Sequence, residues 1–282
     1  MKRLISGVLL LLCSFPAAAQ TEQDSIALAT AEWRQTALTD DAVCRCAQID
    51  LFGSRQCISV VRFPSRSYAT RIVQLNREGR TTSSLGRTAG AAAAINGSYF
   101  NMKTFEAETF VLLDGRILAR TMPVELMRTN GVVAVRDRRG RRVEILACDT
   151  TDYPRIARRY RSALAAGPML VEKGRIATYD SEDGFYTRRH PRSLIGRTRR
   201  GEVVMVVIDG RAKGQGDGTT IAETAFIACQ LGLEDALNLD GGGSSTLWTA
   251  QEGVLNHPSD NRRFDHEGER AVPNCIAVLK ND

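Results

Sequence analysis

The sequence predicts an α+β fold, a mixed, hairpin-rich β-sheet core with a few packed helices in a single domain. Three observations lead there. Short apolar runs separated by turn residues recur along the chain, while one stretch alone carries a full set of helix-start and helix-stop signals. The hairpins follow one another instead of alternating with helices, which argues against a doubly wound sheet. No repeat and no low-complexity linker divides the chain.

The first residues stand apart from the fold. Lys2 and Arg3 form a basic start, Leu4 to Leu12 is mostly apolar, and "SFPAAAQ" closes the stretch with small residues. The apolar run is too short to span a membrane and no stop-transfer pattern follows it. Residues 1–19 therefore read as a signal peptide cut near Ala19, and the mature chain as exported, to the periplasm or the medium. A lipid anchor on Cys13 is disfavoured by Leu12, which stands where a small residue is expected. Residues 20–57 read as an N-terminal helix with a Cys-rich segment, and 58–282 as the main domain.

The elements follow in order. Ser25 to Leu38 has helical spacing. "CISVVRF" (57–63) and "TRIVQL" (70–75) read as strands, and "AAAAINGSYF" (91–100) is ambiguous by composition until Asn96-Gly97 ends it as a turn would. "FVLLDGRIL" (110–118) carries Asp-Gly between apolar arms, a hairpin signal. Further hairpins are expected at 132–146, 165–177 and 192–210, the last with a second arm apolar on both faces and so buried on both. Thr220 and Glu223 form a capping box that opens one strong helix, and Gly232 stops it. "DALNLD", "SSTLWT" and "VPNCIAVL" are the last strands. The polar segment 251–270, which holds His257 and His266, reads as a surface loop.

Composition narrows the function classes. The apolar fraction of 43% and charged fraction of 25% are those of a globular chain. The net charge is +6, and only five of the 38 basic residues are Lys. Arg pairs bidentately with phosphate and carboxylate, so an anionic substrate or envelope polymer suits the chain, as does an ordinary solvated surface. Basic patches interleaved with aromatics are lacking, which argues against nucleic acid. No membrane span is expected outside the leader, and nothing indicates an oligomeric state. Six cysteines follow the leader, at 44, 46, 57, 148, 229 and 275, an even count that predicts disulfides in an exported protein. Cys44 and Cys46 are too close to pair easily with each other. No second Cys-x-x-Cys or His pair supports metal binding.

One stretch invites chemistry. "NLDGGGSSTLW" (238–248) places one carboxylate, three glycines and two hydroxyls at the mouth of a buried strand. Glycine allows left-handed backbone and close ligand approach, and successive N–H groups in such a turn can form an anion-binding nest. Asp240, Gly241, Gly242, Gly243, Ser244 and Ser245 are candidates on this ground; a sharp turn between strands is the plainer reading. Asn96-Gly97 ends another apolar run with an amide that both donates and accepts. Arg192 opens a hairpin that closes with Asp209-Gly210-Arg211, and an Arg beside a nest suits a phosphodiester. Glu223 is a cap residue, yet a helix N-terminus is itself an anion site.

Taken together, "AAAAINGSYF", "AAGPMLVEKGRI", "HPRSLIG…GEVVMVVIDGR", "TTIAETAFIACQLGLEDALNLDGGGSSTLW" and "NHPSD…ERAVPNCIAV" resemble the phosphodiester glycosidase family, from about Ile58 to Leu279. The resemblance implies hydrolysis of a sugar-1-phosphodiester to free sugar and phosphomonoester. It carries over Asn96, Arg192, Asp209, Asn238, Asp240, Gly241, Gly242, Gly243, Ser244 and Arg270 as pocket residues. The chain departs from the family at Ser98-Tyr99, where a second glycine and an aromatic are more usual, and in a longer loop between Asp260 and Glu269.

Cleavage at an anomeric carbon passes through an oxocarbenium-like state that wants a nearby carboxylate and a stabilised leaving group. Asp240 is the first candidate for activating water or stabilising the sugar cation, with Asp209 and Glu223 behind it. The nest and Arg192 are expected to hold the phosphate charge. A calcium ion on Asp209, Asp240 and loop oxygens is one option and no metal the other. His190, beside Arg192, is a candidate proton shuttle. Two alternatives stand beside this reading: a non-catalytic binder of envelope polysaccharide, and a hydrolase of another glycan linkage.

Overall fold

Hairpins between chain neighbours supply seven of the fifteen strand pairs among the described residues, and longer-range pairings join them into sheets. The computed structural model describes residues 17–39 and 41–281. Helix α1 (Ala17–Ala29) leads to β1 (Arg34–Ala37), β2 (Val43–Leu51), β3 (Ser54–Pro64) and β4 (Tyr68–Gln74). Helix α2 (Thr82–Thr88) precedes β5 (Ala93–Asn96), β6 (Val111–Leu113), β7 (Arg116–Ala119), β8 (Gly131–Val135) and β9 (Val143–Ala147). Then come α3 (Tyr153–Arg159), β10 (Ser162–Ala166), β11 (Met169–Glu172), β12 (Arg175–Ile176), α4 (Gly184–Thr187), β13 (Arg192–Thr198) and β14 (Glu202–Ile208). The chain finishes with α5 (Ile221–Gln230), β15 (Leu233–Asn238), β16 (Leu247–Thr249), β17 (Gly253–Val254) and β18 (Asn274–Lys280).

The strands form three antiparallel sheets. The largest runs β1-β2-β3-β14-β13-β15-β11-β12; the others run β7-β6-β10-β8-β9 and β17-β16-β5-β18-β4. All three face one central core. Val203, Met205 and Val207 of β14 meet Val111, Val133 and Leu164 of the second sheet and Ile95, Leu247 and Ile276 of the third. Each sheet also carries a helix on its outer face. Val204, Val206 and Ile208 pack under α5, Phe110 and Ala163 against Tyr153 and Ile156 of α3, and Ala94 and Ala277 against Leu85 of α2. This double covering is why β14 is apolar at every position from Val203 to Ile208. Each fully buried aliphatic there contributes about 1.5–3 kcal/mol.

The expected α+β class, the hairpins and the capped helix are all present. The N-terminal region differs. The helix ends at Ala29, and residues 34–37 pair with 43–46 as β1. The open edge of β2 offers backbone partners there, which outweighs the local helical spacing. The boundary expected at 57/58 falls inside β3, so residues 43–57 belong to the largest sheet. Residues 1–16 of the expected leader lie outside the described residues, and 17–19 open α1. No described helix is long and apolar enough to cross a membrane.

The expected disulfides are not formed: all six described cysteines are free thiols. Cys275 lies under α2 in the third sheet, Cys148 beside α3 on the second and Cys229 on α5, so the outer packing layers keep them apart.

Candidate active site

Three strand ends meet at Asn96. Its amide donates to the Asp240 carbonyl at 2.7 Å. Its oxygen accepts from Ser193 Oγ at 2.7 Å and from Thr246 N at 3.1 Å. One fully buried side chain thus ties the end of β5 to β13 and to both ends of the glycine run. Gly97 completes the join: its carbonyl accepts from Asp240 N at 3.0 Å, and a Cβ there would collide with the Asn274 side chain. Asn238, also fully buried, donates to the Gly167 and Leu239 carbonyls at 2.8 Å and to Tyr99 OH at 3.3 Å, which holds the last residue of β15 in place.

The glycine run makes a turn that arginines lie upon. Gly242 is left-handed, at φ +62°, and opens a 3-10 turn through Ser244. A Cβ on Gly241 would stand 2.7 Å from the Pro191 carbonyl, one on Gly242 2.8 Å from Arg211 Nη2, and one on Gly243 2.5 Å from Asp260 Oδ1 with the Arg270 guanidinium against it. The expected nest of free N–H groups takes another form. Gly241 N donates to Asp240 Oδ1, Gly242 N to Pro191 O, Ser244 N to Gly241 O and Ser245 N to Gly242 O. Those amides close the turn, and the cationic surface comes from the guanidiniums that the missing side chains admit. Arg211 and Arg270 line a cleft of about 620 Å³ with Arg262 and Arg263. Arg211 reaches Ser259 Oγ at 3.5 Å, and Arg270 is paired with Asp260 through Nε at 2.9 Å and Nη2 at 2.5 Å. Glu269 fixes the base of Arg270 by accepting from Ser83 N and Oγ at the start of α2.

Asp240 stands at the edge of this turn. Burial raises its pKa to about 6; the nearby Ser244 hydroxyl, Arg128, Gly241 N–H and Arg270 pull the other way. Ser244 approaches the carboxylate without the geometry of a full hydrogen bond, and the buried hydroxyls of Ser245 and Thr246 have no protein partner.

Arg128 has no signature in the sequence. Its guanidinium lies 4.1 Å from the Tyr99 ring centroid and 5.1 Å from that of Phe185, and forks onto buried Glu125 at 2.6 and 2.7 Å. The sequence clue available was the i,i+3 pair Glu125–Arg128, which elsewhere marks nothing more than a surface turn. At the departure from the family pattern, Ser98 Oγ donates to Ala165 O and Tyr99 OH to Gly167 O, both at 2.5 Å.

Several expected site residues are engaged elsewhere. Arg192, 2% exposed, donates to the Thr219, Phe185 and Arg188 carbonyls at 2.9, 2.6 and 3.1 Å. Its burial without a carboxylate partner lowers its pKa to about 10. Glu223 forms the capping box with Thr220 and accepts from Arg189 Nη2 at 2.6 Å. Burial, and then the charges of Arg192 and Arg211, lower the pKa of His190.

Asp209 is bound to His257 and Asn256: Oδ1 accepts from Asn256 Nδ2 at 3.1 Å and His257 N at 2.9 Å, and Oδ2 lies 2.8 Å from His257 Nδ1. The segment 251–270 is therefore a folded loop that seats a half-buried His257 against buried Asp209. Asn256 also donates to Ser245 O at 3.0 Å, which links Asp209 to the glycine turn. The one metal-compatible group among the described residues is Cys57, Asp209 and His257.

Comparison with known proteins agrees with this geometry. The family described as phosphodiester glycosidase matches residues 89–279. The chain is 25% identical over 192 residues to N-acetylglucosamine-1-phosphodiester alpha-N-acetylglucosaminidase of Bos taurus, covering 64% of this chain and 35% of that protein. It thus spans about a third of the length of the curated relative it matches. In structure it is similar to the zebrafish catalytic domain of the same enzyme, auto-inhibited by its pro-peptide, at TM-score 0.67 and 16% identity over 95% of this chain and 94% of that one. A hypothetical protein from Synechocystis is similar at TM-score 0.68 and 16% identity, over 89% and 64% of the two chains. These structural likenesses establish a shared fold. With the profile matching well over half of its length, the chain belongs to the phosphodiester glycosidase family.

Proposed function

We propose that the chain hydrolyses a sugar-1-phosphodiester to free sugar and phosphomonoester at the glycine turn. The observation that carries this reading is the pair of guanidiniums, Arg211 and Arg270, lying against Gly242 and Gly243 next to Asp240. The guanidinium forks match a phosphodiester group, and the carboxylate is at hand for the sugar. The name of the bovine relative makes N-acetylglucosamine the first sugar to offer.

In this mechanism the phosphate rests on Arg211 and Arg270. As the bond from the anomeric carbon to the phosphate oxygen breaks, negative charge grows on the phosphate and is met by those fixed cations. A phosphomonoester is a good leaving group, so a strong general acid is unnecessary. Asp240, ionised at pH 7, stabilises the oxocarbenium-like state and takes the proton of the attacking water. Arg128 lies over the Tyr99 ring, and its charge favours the ionised Asp240 carboxylate. Asp209 is a positioning residue, acting through Asn256 on the turn. Arg192 and Glu223 hold the surrounding backbone. The leader motif supports export of the mature chain; mass spectrometry of the secreted form should find its N-terminus near Gln20.

The test is release of free sugar from a panel of N-acetylglucosamine-1-phosphodiesters, a nucleotide sugar among them, with Asp240→Asn beside the wild type. Turnover by the wild type and its loss in the folded variant supports the reading. Binding without turnover on every substrate would overturn it in favour of a polysaccharide-binding protein. Turnover confined to other glycan linkages would also overturn it.

A further inference from the structure

A second cluster of reactive side chains lies beneath the arginine-lined cleft, on residues far apart in sequence. Cys57 is in β3, Asp209 follows β14, and His257 is in the loop before β18. The β3–β14 ladder brings the first two together, since Ile58 pairs with Ile208 and Asp209 N donates to the Cys57 carbonyl at 2.9 Å. His257 Nδ1 is 2.8 Å from Asp209 Oδ2 and 3.8 Å from Cys57 Sγ, and the three ligand atoms all lie within 4.8 Å of one another.

We infer that Cys57, Asp209 and His257 form a zinc site with three protein ligands. A tetrahedral zinc with ordinary bond lengths to sulfur and nitrogen sets ligand atoms roughly 3.3–3.6 Å apart, so small side-chain shifts admit the ion. The donor set is one thiolate, one imidazole and one carboxylate, which suits zinc and not calcium. Its two negative charges neutralise the ion, and binding releases the Cys57 thiol proton to solvent.

The supporting shell engages the other atoms of these residues, so that the three ligand atoms turn toward one another. Asn256 Nδ2 and His257 N occupy Asp209 Oδ1, so Oδ2 faces the ion. The His257 ring is held between Phe264, with centroids 3.8 Å apart and planes 8° apart, and His266 at 4.4 Å. Phe264 also lines the cleft of Arg211 and Arg270. The ion would pin the loop that carries Asp260 and Arg270 to the largest sheet. This inference does not depend on the proposed reaction.

The test uses the mature full chain, loaded with zinc chloride or calcium chloride and freed of excess, with bound metal measured by elemental mass spectrometry. Cobalt(II) loading is read as a thiolate-to-metal charge-transfer band in the near ultraviolet. Stoichiometric zinc, no retained calcium and a cobalt band lost in Cys57→Ser and His257→Gln but kept in Cys46→Ser are expected. Substoichiometric zinc in the wild type, or no charge-transfer band, would overturn the site and leave a hydrogen-bonded triad. An unchanged band in folded Cys57→Ser would overturn it as well. The wild-type spectrum decides the question even if a variant fails to fold.

Discussion

Arg211 Nη2 lies 2.8 Å from the place where a Cβ on Gly242 would stand. The glycine therefore has two duties at one position. It takes the left-handed conformation at φ +62°, and it leaves room for a guanidinium at the backbone. Arg211 is itself left-handed, at φ +65°, which costs a non-glycine residue about 1–2 kcal/mol. Strain of this kind collects at functional sites, where the surrounding contacts hold it.

Gly242→Ala adds a Cβ in both senses. The backbone strain should cost about 1–2 kcal/mol and lower Tm by several degrees. The larger effect should be on KM, because Arg211 is displaced. Steady-state kinetics beside thermal unfolding separates the two; an unchanged KM would show that Arg211 does not hold the substrate.

Removing either cleft arginine should weaken phosphate binding. Arg211→Ala and Arg270→Ala should each raise KM about ten- to a hundredfold, the loss of a charge-assisted hydrogen bond or two. Arg270→Lys keeps the charge but not the fork, so it should fall between wild type and alanine. Competitive inhibition by a phosphomonoester should weaken in parallel.

Asp240→Asn should reduce kcat by about 10²–10⁴. The wild-type rate should climb as pH rises through about 6, where burial places the Asp240 pKa. Stability has the opposite sign. A carboxyl whose pKa is raised on folding binds its proton more tightly in the native state. Its ionisation therefore costs stability as pH rises from about 4, the unfolded value, through about 6. The asparagine variant should lack both slopes, in pH–rate profiles and in denaturant melts.

Arg192→Met should be a stability variant. It takes a donor from the carbonyls of Phe185 and Arg188, at about 1–3 kcal/mol where the group is left buried and unsatisfied, while Thr219 O keeps the His190 N–H at 3.1 Å. Denaturant unfolding should show the loss, while KM of the folded fraction stays near wild type.

Glu223→Ala should cost about 1 kcal/mol through the lost cap, with a further small loss from Arg189. Glu223→Gln keeps the bond to the Thr220 amide and should recover most of it. Neither should change kcat, since the carboxylate is committed to the helix start.

Local chemistry made the skeleton readable. The Thr220–Glu223 box announced α5, and the unbroken apolar run of β14 announced a strand covered on both faces. Residues whose partners are distant in sequence were harder to read. Residues 34–37 have helical spacing but become β1, because the free edge of β2 lies beside them. His257 sits in a polar, loop-like stretch, and nothing local shows that Asp209 waits for it 48 residues earlier in the chain. Arg128 looks like half of a turn ion pair until Tyr99 is placed under it. Arg192, which motif and charge mark for phosphate, donates in the fold to three carbonyls.

The residues alone thus established the sheet-rich class, the capped helix, the glycine turn and the family, since periodicity, caps and turn chemistry act over a few neighbours. Contact across the three sheets decided the rest: which arginines rest on the glycines, which carboxylate is raised by burial, and which histidine meets Asp209. Those properties depend on the distance and dielectric between groups that the chain keeps far apart and only folding brings together.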